Sequence, residues 1–238
     1  MTPLRPYKKD SETSYTLGAF PTMELINCRP ELVEAVYLHS TFEDSAGVEK
    51  RCRELGISVQ SGSDHVIQRV SPKENVFVAA VFRKFECELA PDAPHLLLDH
   101  PGDMGNLGTI LRTAAGLGVK DIAIITPAAD RFAPRTVRAS MGAIFRVRTR
   151  SYKSWEDYAA DFPDREVYTF MLDGARPLDT ATRPKSRAFT MVFGNEATGL
   201  AHEYASRGTS VFIPQTKDVD SLNLPVACAI GMFVLTRE

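Results

Sequence analysis

Ile213-Pro-Gln-Thr-Lys-Asp-Val-Asp-Ser-Leu-Asn-Leu-Pro-Val-Ala227 is the stretch on which the reading of this chain turns. It begins at the end of an apolar run, Ser210–Ile213, which suits a buried strand. A polar loop follows, and Ser221-Leu222-Asn223 then leads into the apolar run Leu224–Leu235. Pro225 is tolerated only in the first turn of a helix, which places the helix start close to Asn223. That run falls well short of the ~20 residues a bilayer span requires, and it reads as a helix buried in a core. Ser221 and Asn223 fit as helix caps or as polar groups presented to a site, and this segment alone leaves both open.

The same strand–loop–helix grammar recurs upstream. Leu96–Asp99, Asp121–Thr126, Glu166–Met171 and Phe189–Phe193 are further strand-like apolar runs, and Leu107–Leu117, Pro134–Ser140, Ser154–Asp161 and Gly199–Ser206 read as helices. Such alternation predicts a parallel α/β sheet covered on both faces, with ligands bound beyond the carboxyl ends of the strands. The earlier part, to about Lys84, reads as a small α/β unit. In it Met23–Asn27, Glu43–Leu55 and Ser63–Val70 are helical, and Glu34–His39, Ile57–Gln60 and Val76–Phe82 are extended. Glu86–Pro94, with Pro91, Asp92 and Pro94, reads as the linker, giving domains over residues 1–88 and 89–238.

Two more segments carry chemistry-bearing residues. In Asn106-Leu-Gly-Thr-Ile-Leu-Arg112, the residues Leu107, Ile110, Leu111, Ala114 and Leu117 line one helix face while Arg112 lies off it. Bare Gly108 permits a close approach beside a guanidinium suited to phosphate or a ribose edge. Taken alone, Asn106 fits as an N-cap and Arg112 as a surface residue. Phe193-Gly-Asn-Glu-Ala-Thr-Gly-Leu200 closes a strand and puts Glu196 at the mouth of the sheet, as an orienting carboxylate or as a favourable charge at a helix start.

Together the three segments resemble the three motifs of the SpoU/TrmH branch of the SPOUT methyltransferases. Asn106, Gly108, Arg112 and Ala114 match the first, Gly194, Glu196, Gly199 and Leu200 the second, and Ile213, Pro214, Ser221, Leu222, Asn223, Val226 and Ala227 the third. The resemblance runs from about Leu96 to the last residues. The stretch from Pro101 to Asn106 is longer than the family's usual spacing, and Pro225 stands where the family often has a small polar residue. The resemblance implies an α/β domain tied in a deep trefoil knot, a topology that general rules of chain connection would not anticipate. It implies S-adenosyl-L-methionine as cofactor, held through Gly194, Ile213 and Leu222. It implies a homodimer with the site at its interface, and transfer of a methyl group to a ribose 2′-hydroxyl in structured RNA. Asn106, Arg112, Glu196, Ser221 and Asn223 are the catalytic set it implies. The N-terminal unit resembles, on weaker motifs, the small α/β RNA-binding domain that precedes the knot in several members. For that reason ribosomal RNA is favoured over transfer RNA.

Charge fits an RNA partner only locally. The formal net charge is −2, yet Arg131–Lys153 contains seven basic residues and no acid. Local potential governs anion binding better than net charge. Arg131, Arg135, Arg138, Arg146 and Arg148 are therefore the expected backbone contacts. Arg135 and Arg138 share a helix face, and Arg146, Arg148 and Arg150 alternate onto one side of an extended segment. Cys28, Cys52, Cys87 and Cys228 show no C-x-x-C spacing, so no disulfide or metal role is expected, and a reducing cytoplasm is the simplest compartment. No signal peptide or membrane partner is expected. A dinucleotide-binding oxidoreductase is the main rival, but Gly102, Gly105 and Gly108 lack its G-x-G-x-x-G spacing. A non-catalytic RNA-binding module is the other, and it would have no need of Asn106, Arg112, Glu196 and Asn223 together.

Overall fold

A computed structural model describes residues 5–71, 75–174, 176–179 and 184–237. Its chain divides into two compact units: residues through Phe85 together with Asp130–Arg146, and Glu86–Ala129 together with the chain from Val147 onward. The units divide at Phe85/Glu86, and Asp130–Arg146, assigned by sequence to the second, belongs to the first.

The first unit opens with β1 (Thr13–Leu17) and α1 (Ala19–Cys28), continues through β2 (Val33–Leu38), α2 (Ser45–Glu54), β3 (Val59–Gln60) and α3 (Asp64–Val70), and closes with β4 (Val78–Arg83). The strands lie in the order β1-β4-β2-β3, with β4 antiparallel to both β1 and β2. Strand β1 escapes a reading by hydrophobic pattern because Ser14 and Thr16 are fully buried. Both are satisfied internally: Thr16 Oγ1 accepts from the Ala80 N–H at 3.0 Å and pairs with Thr22 Oγ1 at 2.7 Å, and the Ser14 hydroxyl donates to the Phe132 carbonyl. Tyr15, Leu17, Val81 and Ile67 contribute to the core beside them.

The second unit is built on β5 (His95–Asp99), α4 (Met104–Gly116) and β6 (Asp121–Ile125). The stretch that follows, with α5 (Pro134–Ala139), packs on β1 in the first unit. The chain resumes the second unit with β7 (Arg148–Tyr152), α6 (Trp155–Asp161), β8 (Glu166–Phe170), β9 (Arg176–Pro177), β10 (Phe189–Phe193), β11 (Thr209–Phe212) and α7 (Leu224–Leu235). Seven parallel strands run in the order β7-β6-β5-β10-β8-β11-β9. Leu96, Leu97 and Leu98 of β5 are fully buried, as continuous apolar runs in a two-sided parallel sheet should be. Helix α7 packs against α4 and β10, where Gly231 sits over the stacked rings of Phe170 and Phe193 (4.1 Å between centroids). A Cβ at Gly231 would lie 2.7 Å from Phe170 Cζ and 2.8 Å from Phe193 Cζ. The expected helix over Gly199–Ser206 is only a 3-10 turn at His202–Ser206, because Gly199 takes φ +67° and folds back to pair with Asn195. No described helix is long and apolar enough to cross a membrane.

The linker is fastened to the amino ends of the strands by a directed chain of hydrogen bonds. Arg165 Nε donates to Thr190 Oγ1 (2.9 Å), whose hydroxyl meets the Tyr158 hydroxyl (2.6 Å), which in turn reaches His95 Nδ1 (2.9 Å). His95 Nε2 completes it at the Ala90 carbonyl (2.8 Å). The chain requires a neutral imidazole that accepts at Nδ1 and donates at Nε2. Burial, reinforced by the Arg165 guanidinium, pulls the His95 pKa from 6.5 down to about 4. With the folded pKa below the unfolded one, unfolded chains bind the proton first as pH falls. Stability is therefore full above about pH 6.5 and declines towards pH 4, by roughly 3 kcal/mol in all. Urea unfolding should show this decline in the wild type and a flatter profile in His95→Gln. Parallel profiles for the two proteins would remove His95 as the cause.

Candidate active site

The loops at the carboxyl ends of β5, β10 and β11 bring two of the three sequence segments into direct hydrogen-bonding contact. The carboxylate of Glu196, in the loop after β10, accepts from the Gly102 N–H (2.9 Å), the Asp103 N–H (3.2 Å) and the Asn106 side-chain amide (3.1 Å). Burial alone would raise the Glu196 pKa, but these donors outweigh it and hold the carboxyl below the usual value. Asn106 is not the helix cap. Helix α4 starts two residues earlier, and Asp103 caps it by accepting from the Asn106 N–H at 2.8 Å. The Asn106 amide is thereby free to reach Glu196. Nor does Glu196 open a helix. It lies in a tight return, braced by Asn195 Oδ1 accepting from the Ala197 N–H at 2.8 Å and by Asn195 Nδ2 donating to the His100 carbonyl at 2.8 Å. Gly194 must be bare, since a Cβ there would overlap the backbone of Gly199 and Leu200. Sequence reasoning missed Asp103 and Asn195. An acid three residues before Asn106 was the available signal for the first.

Gly194, Ile213 and Leu222, expected from three separate positions in the sequence, line one cavity of about 310 Å³. Glu196 and Ser221 share its wall, and Met171, Leu224 and Ala227 add apolar surface. A cavity of this size, mostly apolar with a few polar groups, suits a small organic cofactor.

The remaining expected residues stand apart from the carboxylate. Arg112 is exposed and makes no hydrogen bond or ion pair with a described residue. It lies six residues after Asn106 on α4, which is about 9 Å along the axis and a third of a turn away in azimuth. The expectation that Glu196 orients Arg112 is not met within this chain. Asn223 occupies the N-cap position of α7, yet its side chain makes no capping bond. Ser221 is likewise exposed beside the cavity.

The basic segment is not one face. Arg131, Arg135, Arg138 and Arg146 lie in the first unit, and Arg148 and Arg150 in the second. Arg146 caps the turn before β7 rather than joining the strand, and it pairs with Glu24. Arg148 is the counter-ion of Asp121, whose side chain is fully buried and which also accepts from the Ala90 N–H at 2.9 Å. Spending Arg148 on a phosphate would strand that buried charge. Arg150 pairs with Glu88 and Asp161. Arg135 is exposed, and Arg131 lies over the Phe132 ring at 4.8 Å.

Residues 93–233 match the model of the SpoU rRNA Methylase family. The chain is 30% identical over 186 residues to the 23S rRNA (guanosine(2553)-2′-O)-methyltransferase RlmP of Bacillus subtilis, covering 76% of this chain and 74% of that one. An AdoMet-bound rRNA methyltransferase from Sinorhizobium meliloti superimposes with a TM-score of 0.79 at 25% identity, over 94% of this chain and 86% of the other. A TrmH-family protein from Porphyromonas gingivalis gives 0.76 at 29% identity, over 94% and 89%.

Because Glu196 joins two loops through three donors, Glu196→Gln should weaken both. The amide would set an N–H2 group against N–H donors, costing about 2–3 kcal/mol of stability. Chemical denaturation should read that loss, and calorimetry should show S-adenosylmethionine binding weakened at least about tenfold. Unchanged affinity would mean that the carboxylate does not shape the cavity.

Proposed function

The chain belongs to the SpoU rRNA methylase family, and from that premise we propose that it transfers the methyl group of S-adenosyl-L-methionine to a ribose 2′-hydroxyl in structured RNA, ribosomal RNA before transfer RNA. The observation that carries the reading is the convergence of Gly194, Ile213 and Leu222 on one cavity whose wall includes Glu196. The residues fit the cofactor: a bare glycine backbone, an apolar floor and, as charged groups in the lining, the carboxylates Glu196 and Asp173, whose sign suits a sulfonium. When bound there, the cofactor supplies an electrophilic methyl on that sulfonium. The chain's own residues align the sugar and stabilise charge. The hydroxyl proton would leave to solvent water as the new bond forms, since a guanidinium, protonated at any ordinary pH, is a poor base. Arg112 instead binds the ribose or an adjacent phosphate and stabilises the developing oxyanion. Asn223 and Ser221 orient the sugar, with side chains not spent on capping. Glu196 and Asn106 act one step back, as positioning residues.

The same reading includes a homodimer. Arg112 sits on α4 beside α7, whose outer face leaves Val226 and Phe233 each 47% exposed. Covering that face with a second copy would bury apolar surface and deliver Arg112 to the partner's cavity. It also includes a trefoil knot. In support, β11 lies between β8 and β9, strands consecutive in sequence, and their connection passes so close at Gly174 that a Cβ would overlap the Val211 backbone. The first unit is read as the RNA-binding domain, with Arg135 and Arg138 as backbone contacts, since Arg131 is buried against Phe132, and the reducing cytoplasm as the compartment, in keeping with four free cysteines.

Arg112→Ala should lower methylation of ribosomal RNA about a hundredfold or more while S-adenosylmethionine affinity and folding stay as they are. If the arginine acts across a dimer, mixing Arg112→Ala with Gly194→Val protomers should restore about a quarter of the wild-type activity, since half the pairs would hold one intact site. No recovery would place Arg112 with its own cavity.

Reversing charge in Arg135→Glu/Arg138→Glu should weaken RNA binding and reduce its salt slope by about one for each phosphate no longer neutralised. An unchanged affinity and slope would leave that helix face merely solvated.

A further inference from the structure

The second unit holds another cavity, about 610 Å³, at the carboxyl ends of β5, β6 and β7. Asn195, Thr198 and Gly199 line both this cavity and the one assigned to the cofactor, so a single loop separates them. A ligand in the second cavity would lie one loop's thickness from the reacting groups.

Its walls are built rather than incidental. Among the described residues His100 is one of two non-glycine residues with positive φ (+55°), a conformation with a real energetic cost. The surroundings hold it there: its N–H donates to the Ile125 carbonyl (3.2 Å), its carbonyl accepts from Asn195 Nδ2 (2.8 Å), and its Nδ1 meets Asp99 Oδ1 (2.8 Å). The imidazole remains 44% exposed, towards the cavity it lines. Trp155, the single tryptophan of the chain, and Tyr204 pack edge to face at 5.8 Å. Flat aromatic and imidazole groups are the surfaces on which unstacked RNA bases rest. Tyr204 is buried and backs Trp155, so the half-buried Trp155 and the half-exposed His100 are the rings offered to the cavity.

Charge decides which part of an RNA enters. The cavity presents Asp99, Glu156 and Glu203 against Lys153 and Arg207. Arg207 is already engaged, bonded to Glu156 at 2.9 Å and Glu203 at 2.7 Å and lying over the rings of Tyr204 and Trp155. With three carboxylates to two cations, the lining keeps net negative charge after these pairs are counted, which disfavours a phosphate. A base carrying an exocyclic amino group would meet acceptors for its hydrogens, the pairing by which Asp and Glu read cytosine N4.

We propose that this second cavity is a nucleobase subsite, which takes a base with an exocyclic amino group from the RNA methylated in the neighbouring cavity. The assignment rests on the reading of the protein as an RNA 2′-O-methyltransferase, and it makes the cavity a determinant of which nucleotide is modified. Trp155 supplies a direct reporter. With the cofactor cavity filled by S-adenosylhomocysteine, adenosine and cytidine should each change Trp155 fluorescence with millimolar affinity, and uridine should not at the same concentration. His100→Ala and Glu156→Gln should weaken that response about fivefold or more. On RNA they should raise KM by a similar factor with kcat and S-adenosylhomocysteine affinity unaltered. A response equal for all three nucleosides, no response, or variants with unchanged KM would each overturn the proposal. Absence of any 2′-O-methylation by the wild type would overturn the parent reading instead, and the nucleoside titration does not depend on that result.

Discussion

The Glu196 carboxylate is the junction on which the site is assembled. It joins the loop after β10 to the loop after β5 by gathering two main-chain N–H groups and one side-chain amide, beside the Asn195 amide that donates to the His100 carbonyl. Hydrogen bonds to an ionised acceptor are among the stronger ones available to a protein. Part-burial of the carboxylate raises the cost of leaving them unmade. The junction fixes where α4 begins, and with it the azimuth of Arg112. Cys228, fully buried on α7, lies close enough to feel the same charge, which adds to burial in pushing its thiol pKa up. That helix therefore packs a protonated, unreactive thiol behind the site rather than a nucleophile.

Partnering sorts the motif residues into two kinds. Asn106 and Glu196 satisfy each other and the loop, and so hold geometry. Arg112, Ser221 and Asn223 make no side-chain hydrogen bond with a described residue and remain available to a substrate. The same criterion divides the basic segment. Arg146, Arg148 and Arg150 are absorbed by carboxylates of their own units, which explains how a strongly basic stretch can belong to a chain of net charge −2. A run of like charges in sequence is a statement about spacing along the chain; where each charge goes depends on the acids the fold brings to it.

The sheet was legible because its causes are local. A strand buried on both faces is apolar along most of its length, and β5, β6 and β10 announce themselves that way despite the buried His95, Asp121 and Thr190 near their starts. Strand β1 hides because Ser14 and Thr16 solve their burial through distant partners, Phe132, Thr22 and Ala80. The short β9 has two residues and no pattern to read. The segment Asp130–Arg146 misled because its nearest neighbours in sequence are strands of the other unit. Its clue was the apolar trio Phe132, Ile144 and Phe145 among arginines, two of which meet the Phe82 ring edge to face. The loop Gly194–Gly199 reads as a helix start until backbone is considered, since φ +67° at Gly199 closes it as a return. That return is what creates two cavities from one strand end.

A helix rises about 1.5 Å and turns about 100° per residue. Asn106 and Arg112, six apart on α4, therefore lie about 9 Å and a third of a turn apart: Asn106 meets Glu196 and Arg112 is exposed, while α7, packed on α4, leaves Val226 and Phe233 exposed. An arginine pointed at solvent beside an uncovered apolar surface is an incomplete arrangement for a reaction that needs water kept from a developing oxyanion. A second protomer covering that surface would resolve both deficits together, excluding water from the guanidinium and supplying the opposing cavity. Within one chain Asn106 is spent on Glu196 while Arg112 stays exposed, so the proposed dimer is the arrangement that would give the guanidinium a cavity to act on.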